Sequence, residues 1–156
     1  MIISIYDLEL DNDKRSVLVE KDSFTYVTDI LNSPKAIVEM LNTVFGLKRK
    51  AEEQLYMIAF NTKCKVLGIF LVSHGTVSLS LCNPREIFIR ALLCGAVQIA
   101  LVHNHPSGDP QPSKEDFKVF SKVKKSGELL GVPLLDNVIV GDSYFSFKEN
   151  NLYSEQ

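Results

Sequence analysis

The chain has 156 residues, long enough for one domain with a hydrophobic core, and its 46% hydrophobic and 23% charged content is typical of globular rather than disordered proteins. Its formal net charge of −2 gives no general attraction to nucleic acid or to an anionic membrane. We expect a cytoplasmic protein with no membrane segment, because no signal peptide or membrane-spanning apolar run is visible and the three cysteines, Cys64, Cys82 and Cys94, lack C-x-x-C spacing.

Apolar residues at strand and helix spacing, separated by turn residues, predict an α/β domain. Residues 1–32 predict a short N-terminal β extension with strands at 2–10 and 16–20 around a polar turn. The first predicted helix is capped by Ser33, has Pro34 at its first position and stops at Gly46. The later predicted elements are strands at 55–60, 66–72 and 76–81, a helix at 84–94, a strand at 96–102, a helix from 113 to about 127, and strands at 132–140 and 144–147.

The most informative stretch begins where the apolar strand at 96–102 ends. Side chains alternate along a strand, so His103 and His105 point to the same side while Asn104 points away. Residues 106–112 are rich in Pro, Gly and Asp and predict a turn-rich loop. A loop of this length can bring the strand end close to the start of the next helix.

Ser113 opens that helix. Ser113, Asp116, Phe117 and Phe120 follow helical spacing and share one face, which we expect to turn inward because the two phenylalanines need burial. Asp116 is thereby carried towards the two histidines. Two imidazoles and one carboxylate are sufficient protein ligands for a catalytic zinc that keeps one position for water. The pattern therefore predicts a metal-assisted hydrolase.

Each part of this pattern also has a simpler interpretation. Ser113 and Asp116 form an S-x-x-D capping box, a common way to begin a helix, although a cap and a metal site are compatible. A lone H-x-H is often two polar residues at a strand end. The conjunction favours the metal site, since two of the three histidines stand in this motif beside a suitable carboxylate. The letters His-Asn-His do not indicate an HNH nuclease, whose residues are spread over a ββα-metal unit.

The segment at 103–116, H-N-H-P-S-G-D-P-x-P-S-x-x-D, resembles the signature of the RadC-like branch of the JAB/MPN (JAMM) metalloprotease superfamily. The resemblance extends from about residue 33 to 153 and includes the stretches at 83–88, 134–137 and 139–142. It implies a single MPN-type, cytidine-deaminase-like α/β domain at 33–156, with a mixed β-sheet flanked by helices. It also implies a Zn²⁺ ion held by His103, His105 and Asp116, with Ser113 assisting the oxyanion.

The superfamily also uses a glutamate just before a buried strand upstream of the histidines. Counting back from Asn61, the polar residue that ends this strand, the RadC-like pattern selects Glu53, with Glu52 as the alternative. Both could instead be solvated charges at a helix-to-strand junction. Glu86 is a weaker candidate, because a carboxylate in the first turn of a helix suits the helix dipole.

The resemblance thus implies a zinc-dependent metallopeptidase in which Glu53 acts as the general base for a metal-activated water. The substrate would be a peptide or protein, for example an isopeptide-linked or C-terminal tail. The alternative is a non-catalytic RadC-like module associated with DNA repair or mobile-element functions. Residues 1–32 leave no room for the helix-hairpin-helix region of full-length RadC-type proteins, so a DNA-binding role tied to that region is not expected to transfer.

Two further features are predicted to be incidental. Lys114, Lys118, Lys122 and Lys125 line one face of the helix that begins at Ser113, a pattern typical of a solvated surface. His74 is a single histidine in a predicted loop and is left out of the site. The oligomeric state does not follow from the sequence.

Overall fold

The structure is a computed structural model that describes residues 1–28, 30–75 and 83–153. Its strands form one seven-stranded mixed sheet in the order β2-β1-β4-β3-β5-β6-β7. The elements are β1 (Ile2–Leu10), β2 (Ser16–Thr25), α1 (Pro34–Phe45), a 3-10 helix (Leu47–Arg49), β3 (Glu53–Phe60), β4 (Val66–Gly75), α2 (Pro84–Leu93), β5 (Gln98–Asn104), α3 (Lys114–Leu130), β6 (Leu134–Val140) and β7 (Tyr144–Ser146). The predicted α/β class with a mixed sheet and flanking helices is confirmed.

The central strands β3 and β5 are apolar on both faces because helices cover the sheet from both sides. Leu55 and Leu101 pack in one core cluster with residues of α2 and α3. Tyr56 and Val102, which point the other way, pack in a second cluster with residues of α1. Strands buried on both faces read as continuous apolar runs, as the sequence does here. The polar side chains of β3 and β5 therefore stand at the ends of these strands.

The two N-terminal strands form an antiparallel hairpin, β1–β2, and β1 also pairs in parallel with β4 through Ile5 and Ile69. Ile3 is fully buried in the cluster that includes α1. β2 extends to Thr25, beyond the predicted end at residue 20. The hairpin thus continues the same sheet.

The prediction that α3 ends near Gly127 is wrong. The helix continues to Leu130 and is capped by Gly131, whose φ of 71° lies in the left-handed region that favours glycine. A Cβ on Gly127 would lie 2.5 Å from the carbonyl oxygen of Val132 and 3.2 Å from Cζ of Phe88. Gly127 therefore lies within the helix, where the missing side chain allows Val132 and Phe88 to pack closely against it. It does not mark the end of the helix.

The remaining differences are small. Helix α1 is capped by Ser33 and ends before Gly46, as predicted, whereas β5 lies two residues later than expected. The strand predicted at 76–81 and Cys82 lie outside the described residues, while Cys64 and Cys94 are free thiols. None of the described helices combines the length and the apolar character that crossing a membrane requires.

Candidate metal centre

The end of β5 brings the two histidines of the motif together. His103 is buried, with an exposed fraction of 2%, and pairs with Leu55 of β3 on one side. His105 follows the strand, and its backbone N–H donates to the carbonyl of Val140 at 2.8 Å. The Nε2 atoms of the two imidazoles lie 3.1 Å apart. The predicted placement of both rings on one side of the strand is confirmed.

The loop after His105 rests on the turn between β6 and β7. The N–H of Gly108 donates to the carbonyl of His105 at 3.0 Å, and the N–H of Asp142 donates to the carbonyl of Gly108 at 2.7 Å. A Cβ on Gly141 would lie only 2.2 Å from the oxygen of Gly108. The absence of a side chain at 141 therefore allows the loop to approach this turn.

The start of α3 supplies the carboxylate. Asp116 is 4% exposed and takes part in a complete capping box with Ser113. Asp116 Oδ2 accepts hydrogen bonds from both the backbone N–H and the hydroxyl of Ser113, each at 2.7 Å. The same carboxylate lies 3.1 Å from Nε2 of His103 through Oδ1 and 3.4 Å from Nε2 of His105 through Oδ2. The cap and the convergence on the histidines therefore occur together.

The three side chains fit a zinc ion. One ligand atom from each of His103, His105 and Asp116 lies within 4.8 Å of the other two. Ligand atoms about 3.3 Å apart are expected around a tetrahedral zinc with bonds of about 2.0–2.1 Å. The two Nε2 atoms lie 3.1 Å apart, and a carboxylate oxygen of Asp116 lies 3.1 Å from one of them (Oδ1 to His103) and 3.4 Å from the other (Oδ2 to His105), close to that value. Two imidazole nitrogens and a carboxylate oxygen are also the ligand types of a catalytic zinc site.

Neighbouring groups prepare these ligands for a cation. Nδ1 of His105 lies 2.8 Å from the carbonyl oxygen of Asp109, so it donates its N–H there. Protonated His105 therefore donates to Asp116 from Nε2, whereas the neutral imidazole presents its Nε2 lone pair to the centre. Burial alone would raise the pKa of Asp116, but hydrogen bonds from His103, His105 and Ser113 hold that pKa well below its usual range. The hydrogen bond to Asp116 in turn raises the pKa of His105. The carboxylate is therefore ionised at neutral pH.

Glu53 lies beside the centre. It is the first residue of β3, and the antiparallel register pairs Leu55 with His103. Continuing this register by two residues places Glu53 opposite His105. Its negative charge contributes to the raised pKa of His105, which is consistent with that proximity. Its role as a base stays a prediction.

The other candidate carboxylates are engaged elsewhere. Glu52 Oε2 lies 2.8 Å from Nε2 of His74. His74 pairs with Gln54, so it belongs to the face opposite Glu53. Glu86 receives a hydrogen bond from Nη1 of Arg85 at 3.0 Å. Of the three glutamates considered from the sequence, Glu53 is the one placed towards the histidines.

One expectation near the site is wrong. Phe120 is 6% exposed, but Phe117 is 43% exposed and is not in the core. Phe117 follows Asp116 by one residue, a rotation of about 100° around the helix, so it lies at the edge of the buried face. Its ring packs edge-on against Phe147, with centroids 5.3 Å apart.

Sequence reasoning also missed two contributors to the site. The carbonyl of Asp109 orients His105, but a backbone acceptor leaves no mark in a side-chain pattern. Gly141 lies between the two last predicted strands, and its contact with Gly108 joins two loops that are distant in the sequence. The spacing of turn residues carries no signal for such a contact.

Comparison with known proteins identifies the family. Residues 31–152 match the family model described as "RadC-like JAB domain". A "UPF0758 protein" of Chlorobaculum parvum is 50% identical over 104 residues, which cover 66% of this chain and 47% of the relative. A "UPF0758 protein" of Clostridium kluyveri is 44% identical over 124 residues (79% and 53%), and one of Moorella thermoacetica is 39% identical over 131 residues (83% and 56%).

The chain thus spans about half the length of the curated relatives it matches. The segment that matches the family model contains the three candidate metal ligands and Glu53. It also covers well over half of the chain. The resemblance seen in the sequence is confirmed, and the chain belongs to the family of RadC-like JAB domains.

Proposed function

We propose that this protein is a zinc-dependent metallohydrolase that cleaves a peptide or isopeptide bond. The observation that carries the proposal is the convergence of His103, His105 and Asp116 at separations that suit a tetrahedral zinc. The position of Glu53 opposite His105 adds the carboxylate that such chemistry requires. Membership of the RadC-like JAB family supports the proposal at the level of the fold.

When bound, zinc would polarise the scissile carbonyl and lower the pKa of a water molecule to about 7. Glu53 would accept a proton from the attacking water and deliver it to the leaving nitrogen as the carbon–nitrogen bond breaks. Asp116, ionised and fixed by Ser113, would keep its charge throughout the cycle. The products would be a carboxylic acid and an amine, with no covalent enzyme intermediate.

Ser113 would contribute in two ways. Its hydroxyl donates to Asp116 Oδ2 at 2.7 Å, so its first role is to orient the carboxylate. Its backbone N–H makes a second bond to the same oxygen, also at 2.7 Å. The hydroxyl could therefore turn towards a developing oxyanion without releasing Asp116. We propose this rotation as the way in which Ser113 assists the reaction.

The substrate class that fits this chemistry is a peptide or a protein, with an isopeptide-linked or C-terminal tail as the site of cleavage. A pooled library of peptides and isopeptide conjugates, incubated with zinc-loaded protein and analysed by mass spectrometry, tests the proposal. Cleavage that is abolished by a chelator and restored by zinc is the expected result. No cleavage of any member by zinc-loaded protein would favour the alternative, a non-catalytic RadC-like module.

The decisive variant is Glu53→Gln, with Glu52→Gln as its matched control. Because Glu53 is not a metal ligand in this account, Glu53→Gln should retain zinc while turnover falls by about 100-fold or more. Glu52→Gln removes a neighbouring carboxylate that contacts His74 and should leave turnover close to that of the parent. Equal activity of Glu53→Gln and the parent would show that Glu53 is not the base.

A further inference from the structure

Asn104 stands between the two histidines, but its side chain serves the opposite face of the sheet. The residue is 1% exposed. Its Oδ1 accepts a hydrogen bond from the N–H of Gln54 at 2.7 Å. Its Nδ2 donates to the carbonyls of Glu52 at 3.1 Å and Lys50 at 3.4 Å. The three hydrogen bonds of this amide with the described residues are all directed at one short segment, residues 50–54.

That segment contains Glu53. Glu52 and Gln54, the neighbours on either side, are the residues whose backbone atoms Asn104 binds most closely, at 3.1 and 2.7 Å. Because side chains alternate along a strand, Glu53 projects to the same face as Leu55, which pairs with His103. The contacts of Asn104 with the backbone of Glu52 and Gln54 therefore hold the chain on both sides of Glu53, while the Glu53 side chain points to the face of the histidines.

The ladder between β3 and β5 provides little else at this end. Its last registered pair is Leu55 with His103, two residues beyond Glu53. On the other side of β3, the ladder with β4 shifts register between Leu55 and Tyr56 and then continues to Glu53, which pairs with Gly75. The ion pair of Glu52 with His74 is about half exposed on both sides, a setting in which such pairs contribute little. Asn104 is thus a buried side-chain contact that ties the segment to the strand of the histidines.

We propose that Asn104 is a positioning residue for the general base, and that it sets the distance between Glu53 and the metal ligands. One rigid strand end would then carry both halves of the site: His103 on one face, and on the other face the amide that holds the base in place. This inference rests on the proposed function, because it assigns Glu53 the role of base. We call the three hydrogen bonds between Asn104 and residues 50–54 the Asn104 clamp. Small displacements of a catalytic group reduce turnover strongly, so loss of this clamp should affect catalysis more than metal binding.

Amide hydrogen exchange tests the clamp without reference to metal or activity. In the folded parent, NMR should show the N–H of Gln54 protected, and Asn104→Ala should accelerate its exchange by about 10-fold or more. Asn61→Ala is the matched control, because Asn61 Oδ1 accepts from the N–H groups of Lys63 and Lys65 at the other end of β3. That control should accelerate exchange near Lys63 and leave Gln54 unchanged.

Substitution of cobalt for zinc supplies a readout that a purely structural role would not move. The pH profile of the visible absorption of cobalt-loaded protein should change when Glu53→Gln removes the neighbouring carboxylate. Asn104→Ala should bind as much cobalt as the parent and shift this profile in the same direction as Glu53→Gln. Asn61→Ala should keep the profile of the parent.

Kinetics with a peptide found in the library screen complete the test. For Asn104→Ala, kcat should fall by about 10- to 100-fold while KM and zinc content stay close to the parent values. Should Asn104→Ala fail to fold, Asn104→Asp replaces it. That variant keeps the acceptor for Gln54 but turns a donor into a carboxylate that faces the carbonyls of Lys50 and Glu52, and the same shift of the cobalt profile is expected.

Two results would overturn the inference. One is exchange at Gln54 that is as fast in the parent as in Asn104→Ala. The other is a cobalt profile and kcat of Asn104→Ala equal to those of the parent. A parent that binds neither zinc nor cobalt would instead overturn the proposed function. The role of Asn104 in catalysis would then fall with it, while exchange at Gln54 would still decide whether the clamp exists.

Discussion

Asp136 is a second buried carboxylate, and its surroundings differ from those of Asp116. Burial raises the pKa of Asp136, even though it accepts hydrogen bonds from the Ser146 hydroxyl at 2.5 Å and the backbone N–H groups of Asn137 and Lys148 at 2.8 and 3.0 Å. At Asp116 the hydrogen bonds from two imidazoles lower the pKa more than burial raises it. At Asp136 the neutral donors do not offset the effect of burial on the pKa. The two residues therefore affect stability with opposite signs as the pH changes.

Asp136→Asn should remove one pH-dependent part of the stability. A carboxyl group whose pKa is raised on folding contributes stability that is full below its unfolded pKa, about 3.9, and is lost as the pH rises through its folded pKa. The amide can still accept both backbone N–H groups at Oδ1 and can donate to Ser146 from Nδ2. Urea unfolding of the metal-free protein at a series of pH values above about 4 measures the difference.

In these experiments the free energy of unfolding of the parent should decrease relative to that of Asp136→Asn as the pH rises. The relative decrease should be confined to the window between the unfolded and folded pKa of Asp136. A constant difference between the two proteins across that window would show that Asp136 titrates in the folded state as it does in the unfolded chain.

At the scale of elements, the candidate metal centre depends on contact between two loops. The loop that follows His105 is held by the β6–β7 turn through the hydrogen bond from Asp142 to Gly108. The carbonyl of Val140, at the end of β6, holds the N–H of His105 itself. The position of this imidazole is therefore determined by a turn that lies more than 30 residues later in the chain.

Gly141→Ala should disturb the metal centre from a distance. A Cβ at this position would lie 2.2 Å from the oxygen of Gly108, so one of the two loops must move. We expect a loss of about 1–3 kcal/mol in the free energy of unfolding and zinc binding weakened by about 10-fold or more. Denaturant unfolding and competition with a chromophoric chelator measure the two effects.

Gly131→Ala is the matched control for this variant. Gly131 has a φ of 71° and caps the far end of α3, where nothing lies within 4 Å of an added Cβ. Its substitution should cost about 1–2 kcal/mol through backbone strain and leave zinc affinity unchanged. Zinc affinity in Gly141→Ala equal to that of the control would show that the loop contact does not position His105.

At the scale of the whole molecule, the fold followed from local patterns wherever one pattern dominated. The apolar runs of β3 and β5, the capped start of α1 and the capping box at Ser113 predicted most elements to within a few residues. The end of α3 was mispredicted at Gly127, because glycine is typical both of helix ends and of positions where helices pack closely. Phe117 is exposed because it lies at the edge of the buried face of α3, and helical spacing alone does not record how wide that face is.

The candidate site, like the fold, was predictable where short-range patterns determine it. The ligands follow from alternation along a strand and from helical spacing, both of which are short-range. Glu53 could not be separated from Glu52 by such rules, because a strand start is uncertain by a residue or two. The contacts of Asn104 with the segment at 50–54 bridge about 50 residues of chain and required the assembled sheet.

The central claim is that His103, His105 and Asp116 hold a zinc ion. Its most direct test is the zinc content of protein purified without chelators, determined by elemental mass spectrometry beside His105→Ala and the control His74→Ala. We predict about one zinc per chain in the parent and in His74→Ala, and little in His105→Ala. A parent that contains little zinc and takes up none when zinc is added would contradict the account.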